Sequence, residues 1–424
     1  MRRGITAAAL AATLVLAATA CGTDDKSGGA KSSGGELSGT VTWWDTSTVG
    51  SEDKVFKKLA EDFEKEHPKV DVKYVNVPFG DAQNKFKNAA QSGSGAPDVI
   101  RSEVAWTPEF ADLGYLAPLD GTPALKDEKD FLGQAAASTR YGGKTYAVPQ
   151  VIDSMGIFYN KRILKDAGVE VPGTVEELKS VSKTVKERTG KTGLYLRGDD
   201  AYWFLSFLYG EGGNLVDAGS RTVTVDNAAG VKAMTVVKDL VDSGVAKTDA
   251  TDGFENMQTA FKEGEVAMMI NGPWAITDTY GGPQFKDRTN LGIAPVPAGS
   301  AGQGAPQGGH NLAVYAGSGN LDASYAFTEY MTSAASQARV AEELNLLPTR
   351  TSVYAQPDVA ANEIVGFFKP VVDKAVERPW IPETGSLFAP LVTEYTKVLT
   401  GQTTPEQGVT ATGDAYRKLL KGWK

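Results

Sequence analysis

The stretch "GTVTWWD" (residues 39–45), followed by "EDKVFKKLAEDFEKEH" (52–67) and "VDVKYVNV" (70–77), sets the fold class. The first reads as a strand. In the second, Val55, Phe56, Leu59, Ala60 and Phe63 share one helical face, and the helix must stop before Pro68. The third alternates, with Val70, Val72 and Tyr74 on one side. A helix from about Asp81 to Gln91, a Gly/Ser turn and the short strand "PDVIRS" come next. This β-α-β-α-β order is the grammar of a mostly parallel sheet covered by helices, hence α/β.

The middle of the chain keeps the same style. "KTYAVPQVIDSMGIFYNKRILKDAG" (144–168) begins extended and ends in a helix closing at Gly168. "GLYLRGDDAYWFLSFLYGEGG" (193–213) is strand, turn, aromatic helix and glycine stop. "VDNAAGVKAMTVVKDLVDSG" (225–244) is a helix capped by Asp226 or Asn227 and followed by Gly244. "PVPAGSAGQGAPQGG" (295–309) is the loosest internal segment and reads as a boundary loop. The last helix starts at Thr404-Pro405-Glu406-Gln407, a capping box with proline at the first helical position.

The ends and the composition bound the function. Arg2, Arg3 and the apolar residues 5–20 form an export signal too short for a comfortable membrane span. The signal runs into Cys21, the only cysteine, after the small residues Ala18-Thr19-Ala20, the pattern of a lipoprotein whose cysteine carries the lipid. Residues 21–38 then read as the lipidated cysteine and a flexible Gly/Ser tether to the outer face of the cell membrane. An ordinary cleaved signal is the plainer alternative. Without residues 1–20 the formal charge moves from −9 to −11, and an acidic body with few basic clusters argues against nucleic acid.

In open parallel sheets ligands sit beyond the carboxyl ends of strands. Those ends here keep delivering an acid or an aromatic: Trp44 and Asp45; Glu103 and Trp106; Asp153; Asp200, Tyr202 and Trp203; and Trp274 in "AMMINGPWA" (267–275). Carboxylates accept charge-assisted hydrogen bonds from sugar hydroxyls, and indole or phenol faces take the C–H patches of a sugar ring. A cationic peptide would also suit acids and aromatics. Several of these residues have a plainer use. Trp43 and Trp44 point to opposite faces, so one belongs to the core; Asp199 or Asp200 can cap a helix; Glu52 favours the start of the first helix; Phe207 and Tyr209 read as core, and Trp423 as surface packing.

Catalysis has little support. The two histidines are His67 and His310, and no His/Cys metal cluster exists. "YGGKT" (141–145) and "TGKTG" (189–193) lack the earlier glycine of a phosphate loop, so no cofactor is expected. A glycosidase, which needs only two carboxylates about 5 to 10 Å apart, stays open.

"GSGAPDVI", "GKTYAVPQVIDSMGIFYNKRIL", "AFKEGEVAMMINGPWA" and "IPETGSLF" resemble extracellular solute-binding proteins of ABC importers, specifically the maltose/maltodextrin-binding kind. The resemblance implies two α/β lobes joined by hinge crossings: residues 39–152 plus about 296–352, and 153–295 plus about 353–424. It implies a monomer that captures maltodextrin in the cleft and delivers it to a membrane permease with a separate ATPase. Trehalose, cellobiose and xylo-oligosaccharide remain alternative ligands. By match, Asp153 is a hinge acid on the sugar, Asp200 and Tyr202 an acid and a stacking ring, and Trp274 a stacking tryptophan. Phe388 stands where such proteins have tryptophan, and Glu103 and Trp106 stand in for unmatched groups near "PDVI". Arg378 and Trp380 of "ERPWIP", and His310 and Asn311 of "GGHNLAV", complete the candidate ligand-facing set with Trp44, Asp45 and Glu52.

Overall fold

In the computed structural model, which describes residues 36–424, the strand Gly39–Asp45 lies between two parallel neighbours, Val70–Asn76 and Val99–Glu103. Its tryptophans divide as the pleat requires. Trp43 is wholly buried against Phe56, Tyr74 and Phe327, with ring centroids 5.3–6.4 Å away. Trp44 packs on the other side with Ala82, Phe86 and Trp106. Each face of the sheet therefore has its own helical cover. The signal (1–20), Cys21 and the tether as far as residue 35 lie outside the described residues.

Two sheets carry the fold. The first has six strands in the order Leu347–Pro348, Ala147–Asp153, Gly308–Val314, Val99–Glu103, Gly39–Asp45, Val70–Asn76. The second has five, in the order Ala246–Lys247, Thr192–Tyr195, Val266–Asn271, Gly156–Asn160, Leu291–Pro295. Most strands of each sheet run one way, as expected, with antiparallel strands set among them. Gly308–Val314 runs antiparallel to both of its neighbours, and Gly156–Asn160 does the same in the second sheet. The cause is the route of the chain. Ala147–Asp153 ends where the chain crosses to the second sheet, and Gly156–Asn160 begins there; Leu291–Pro295 ends at the return crossing, and Gly308–Val314 begins there. A strand that starts at the shared edge must run against those that end at it. The carboxyl ends of the other long strands consequently converge on that edge.

Local signals held. Asn227 caps Ala228–Asp242 by accepting from Gly230 N, and Thr404 with Gln407 forms the capping box of Pro405–Leu419. Pro273 opens a 3-10 turn, Pro273–Ala275, that leads into the helix Ile276–Gly281. The helix expected at 81–91 spans Phe79–Ser92. Leu37 packs on the first core. The larger core lies around the second sheet and takes in Phe368, Leu387, Leu391 and Tyr395 from the C-terminal helices.

Gly193 shows how tightly the second sheet meets its helices. A Cβ there would collide with the backbone of Ser182 in the helix Val175–Thr189. Gly193→Ala should destabilise the protein by about 1–3 kcal/mol through overpacking, read as a lowered midpoint in thermal or urea unfolding.

Candidate functional site

At the shared edge, two carboxylates from the first sheet meet one arginine carried by the C-terminal region. Arg378 is buried and forms an ion pair with Glu103, the last residue of Val99–Glu103; its Nε donates to Gln307 O at 3.0 Å. The other Glu103 oxygen accepts from Ala105 N at 2.9 Å. The guanidinium also lies 5.4 Å from the Tyr202 ring, 5.9 Å from Trp380 and 6.0 Å from Phe388. Asp153 stands beside this group at the crossing to the second sheet. Burial pushes its carboxyl up to about 7; Arg378 opposes the rise and Glu103 adds to it. Gly308 pairs with Asp153 across the sheet, and a Cβ on it would strike the Asp153 carboxylate and come within 2.5 Å of the Tyr202 hydroxyl. The absent side chain keeps open a notch between an acid and a phenol.

A second polar group adjoins the first, and part of it is invisible to a scan of strand ends. Arg101 is buried inside the strand, bonded through Nε to Gln150 Oε1 at 2.9 Å and 3.9 Å from Asp45. Asp45 in turn accepts from Tyr74 at 2.8 Å and from Ser47. Glu52 accepts from Thr48 N at 3.0 Å; burial raises its carboxyl and Arg101 pulls it back. Arg101 and Gln150 were missed as candidates. The available signal was a charged and an amide residue set within the apolar runs "VIRSE" and "VPQVI", where a polar side chain needs an internal partner.

Several buried polar atoms around these arginines have no hydrogen-bond partner: Gln150 Nε2, Gln307 Oε1, Trp380 Nε1, the Tyr209 hydroxyl and both ring nitrogens of His310. Burial, then Arg101 and Arg378, hold His310 well below its usual range, so the imidazole is neutral, one nitrogen donating and the other accepting. Buried groups left unpaired are costly, and these six stand where a ligand would supply partners, while ten more are scattered through the described residues.

The aromatic rings form the apolar half. Trp203 donates to Ile270 O at 2.6 Å and stands edge-on to Tyr202 at 5.9 Å and to Trp274 at 6.3 Å. Trp274 is half-buried and, alone among the partly buried hydrophobic residues described, packs on both major cores. Arg197 lies 4.3 Å from the Trp203 ring and pairs with Asp199 and Asp200 at 2.8 and 3.3 Å.

Residues 46–338 match the family model described as bacterial extracellular solute-binding protein. The chain belongs to that family. It is similar, at 67% identity and a TM-score of 0.90, to the GacH receptor of Streptomyces glaucescens, solved unliganded and in complex with acarbose and an acarbose homolog; the match covers 92% of this chain and 100% of that one. It is 28% identical to the diacetylchitobiose binding protein DasA of Streptomyces coelicolor, over 99% of this chain and 100% of the relative. It is 26% identical to a maltotriose-binding protein of Pyrococcus abyssi, over 83% and 75%. The two sheets are those of this two-lobe solute-binding fold.

Within the solute-binding fold, the expected residues do not all gather in one place. Glu103, Asp153, Tyr202, Trp380 and Phe388 surround the Arg378 guanidinium, with His310 coupled to it. Asp45 and Glu52 belong to the Arg101 group. Trp44 and Trp106 are nearly covered within their own core. Asn311 lies inside, its amide donating to Ser138 at 3.1 Å and Thr107 at 3.3 Å, after a register break between His310 and Asn311. Of the two aspartates expected at a cap, Asp199 accepts from Gly253 N at the start of another helix at 2.8 Å, while Asp200 accepts from Tyr202 N at 2.9 Å. Among the described residues no group of His, Cys, Asp and Glu could hold a metal ion.

The raised Asp153 carboxyl fixes a sign. A carboxyl whose folded pKa exceeds its unfolded value withdraws stability as pH rises through the folded value and is neutral in effect below the unfolded one. Asp153→Asn should therefore stabilise the unliganded protein at pH 8 relative to the parent, with the difference vanishing near pH 4. Thermal unfolding of both proteins across that range checks it.

Proposed function

We propose that this solute-binding protein captures maltose and longer α-linked glucose oligosaccharides between its two halves and hands them to the membrane permease of an ABC importer driven by a separate ATPase. One observation carries the reading: unpaired buried donors and acceptors and an acid with no hydrogen bond stand among aromatic rings at a single edge. Oligosaccharides supply what that edge lacks, hydroxyls for the polar atoms and C–H faces for the rings. The similarity to an acarbose-binding receptor and a maltotriose-binding protein supports an α-glucan over other sugars.

Capture and closure are one equilibrium in this reading. Sugar contacts from Asp153 and His310 on one side, and from Tyr202 and Trp274 on the other, favour the closed arrangement by their differential binding energy. The Glu103–Arg378 pair joins the same two sides. The role is binding without turnover. Glu103 has its oxygens engaged by Arg378 and Ala105, and Asp200 is held by Arg197 and Tyr202 N, which favours binding over acid–base work. A chromogenic glycoside separates the two readings, since sustained product release would establish an enzyme.

The protein acts as a monomer at the outer face of the cell membrane, anchored through a lipid on Cys21. Cys21→Ser should shift it from the membrane fraction to the medium; retention in the membrane would remove the anchor from the proposal. Titration calorimetry with maltose and maltotriose tests the ligand, and no heat and no thermal shift with any glucan would overturn it. Trp274→Ala should weaken binding about tenfold, in line with the loss of an aromatic stacking contact.

A further inference from the structure

Phe79 stands apart from the binding residues named so far, and nothing in the sequence singled it out. It is the one aromatic ring among the exposed large hydrophobic side chains of the described residues, 48% exposed. Exposure of this size is unfavourable, yet the ring is firmly held. One face stacks on Trp106 at 5.2 Å and 29°, and Trp106 is itself fixed in the core with Phe86 and Phe110. The ring also stands edge-on to His310 at 6.0 Å, the imidazole whose nitrogens are unpaired. One turn along the same helix, Gln83 lies against Gly385, which starts the helix bearing Phe388. Phe79 thus flanks the seam where helices of the two halves meet.

We propose that Phe79 is an outer sugar subsite, its open face carrying a glucose ring of an oligosaccharide longer than a disaccharide, with His310 bonding a hydroxyl of that unit. The proposal rests on the oligosaccharide reading above and adds chain-length preference to it. A preformed ring on a rigid backing binds without ordering cost, which suits a stacking platform. The plainer role, shielding Trp106 from water, predicts a different outcome.

Affinities for maltose, maltotriose and maltotetraose are to be measured by titration calorimetry on the parent, Phe79→Ala and Phe79→Tyr, with thermal unfolding of each. Phe79→Ala should weaken the tetrasaccharide by roughly three- to tenfold and narrow the spread between tetrasaccharide and disaccharide, while Phe79→Tyr retains it. Equal weakening at all three lengths with a lowered unfolding midpoint would assign Phe79 to packing and overturn the subsite, as would unchanged affinities. Failure of the parent to bind any of the three would sink the oligosaccharide reading and the subsite together; binding by the parent with a flat length profile would sink the subsite alone.

Discussion

A buried guanidinium demands a carboxylate and planar acceptors, and the site is arranged around that demand. Arg378 takes its carboxylate from the end of a first-sheet strand and a backbone oxygen, Gln307 O, from the crossing loop. Its position then sets the neighbours. It moderates the Asp153 carboxyl, adds to the burial and Arg101 that keep His310 neutral, and sits near the rings of Tyr202, Trp380 and Phe388. Removing the charge would leave the largely covered Glu103 without its partner, which costs up to several kcal/mol where both charges are buried. The pair holds the edge in place while leaving the aromatic faces and orphan atoms for a ligand.

Arg101 plays the parallel part deeper in the first sheet. It satisfies Gln150 through one amide atom and leaves the other, Nε2, unpaired. A core built for stability alone would place apolar residues at such positions. Retaining a charge and an incomplete amide there follows the familiar pattern in which local rules are broken at functional sites and offset elsewhere, here by the wholly buried Trp43 and its ring of aromatic contacts.

What the sequence revealed was local. Caps depend on residues three apart, so Asn227 and Thr404 could be read directly. The opposite faces of Trp43 and Trp44 follow from strand geometry, and the acids and rings at strand ends follow from the parallel-sheet rule. Strand direction was not legible, because periodicity is the same either way; only the crossings reveal that Gly308–Val314 and Gly156–Asn160 run backwards. The gathering of Arg378 with Glu103, 275 positions apart, lies beyond any pattern of spacing. Asn311 was expected beside His310, but consecutive strand residues point to opposite faces, and Asn311 faces inward. Gly308 gave no signal, since a notch is visible only when both walls are.

The protonation of Asp153 has an effect reaching past the molecule. Burial pushes this acid up to about 7, and it takes no hydrogen bond among the described residues. In the reading proposed above, hydroxyls of a bound carbohydrate donate more strongly to its ionised form, so binding favours release of the hydrogen ion. Affinity for the proposed ligand and the acidity of the medium are thereby linked through a single side chain.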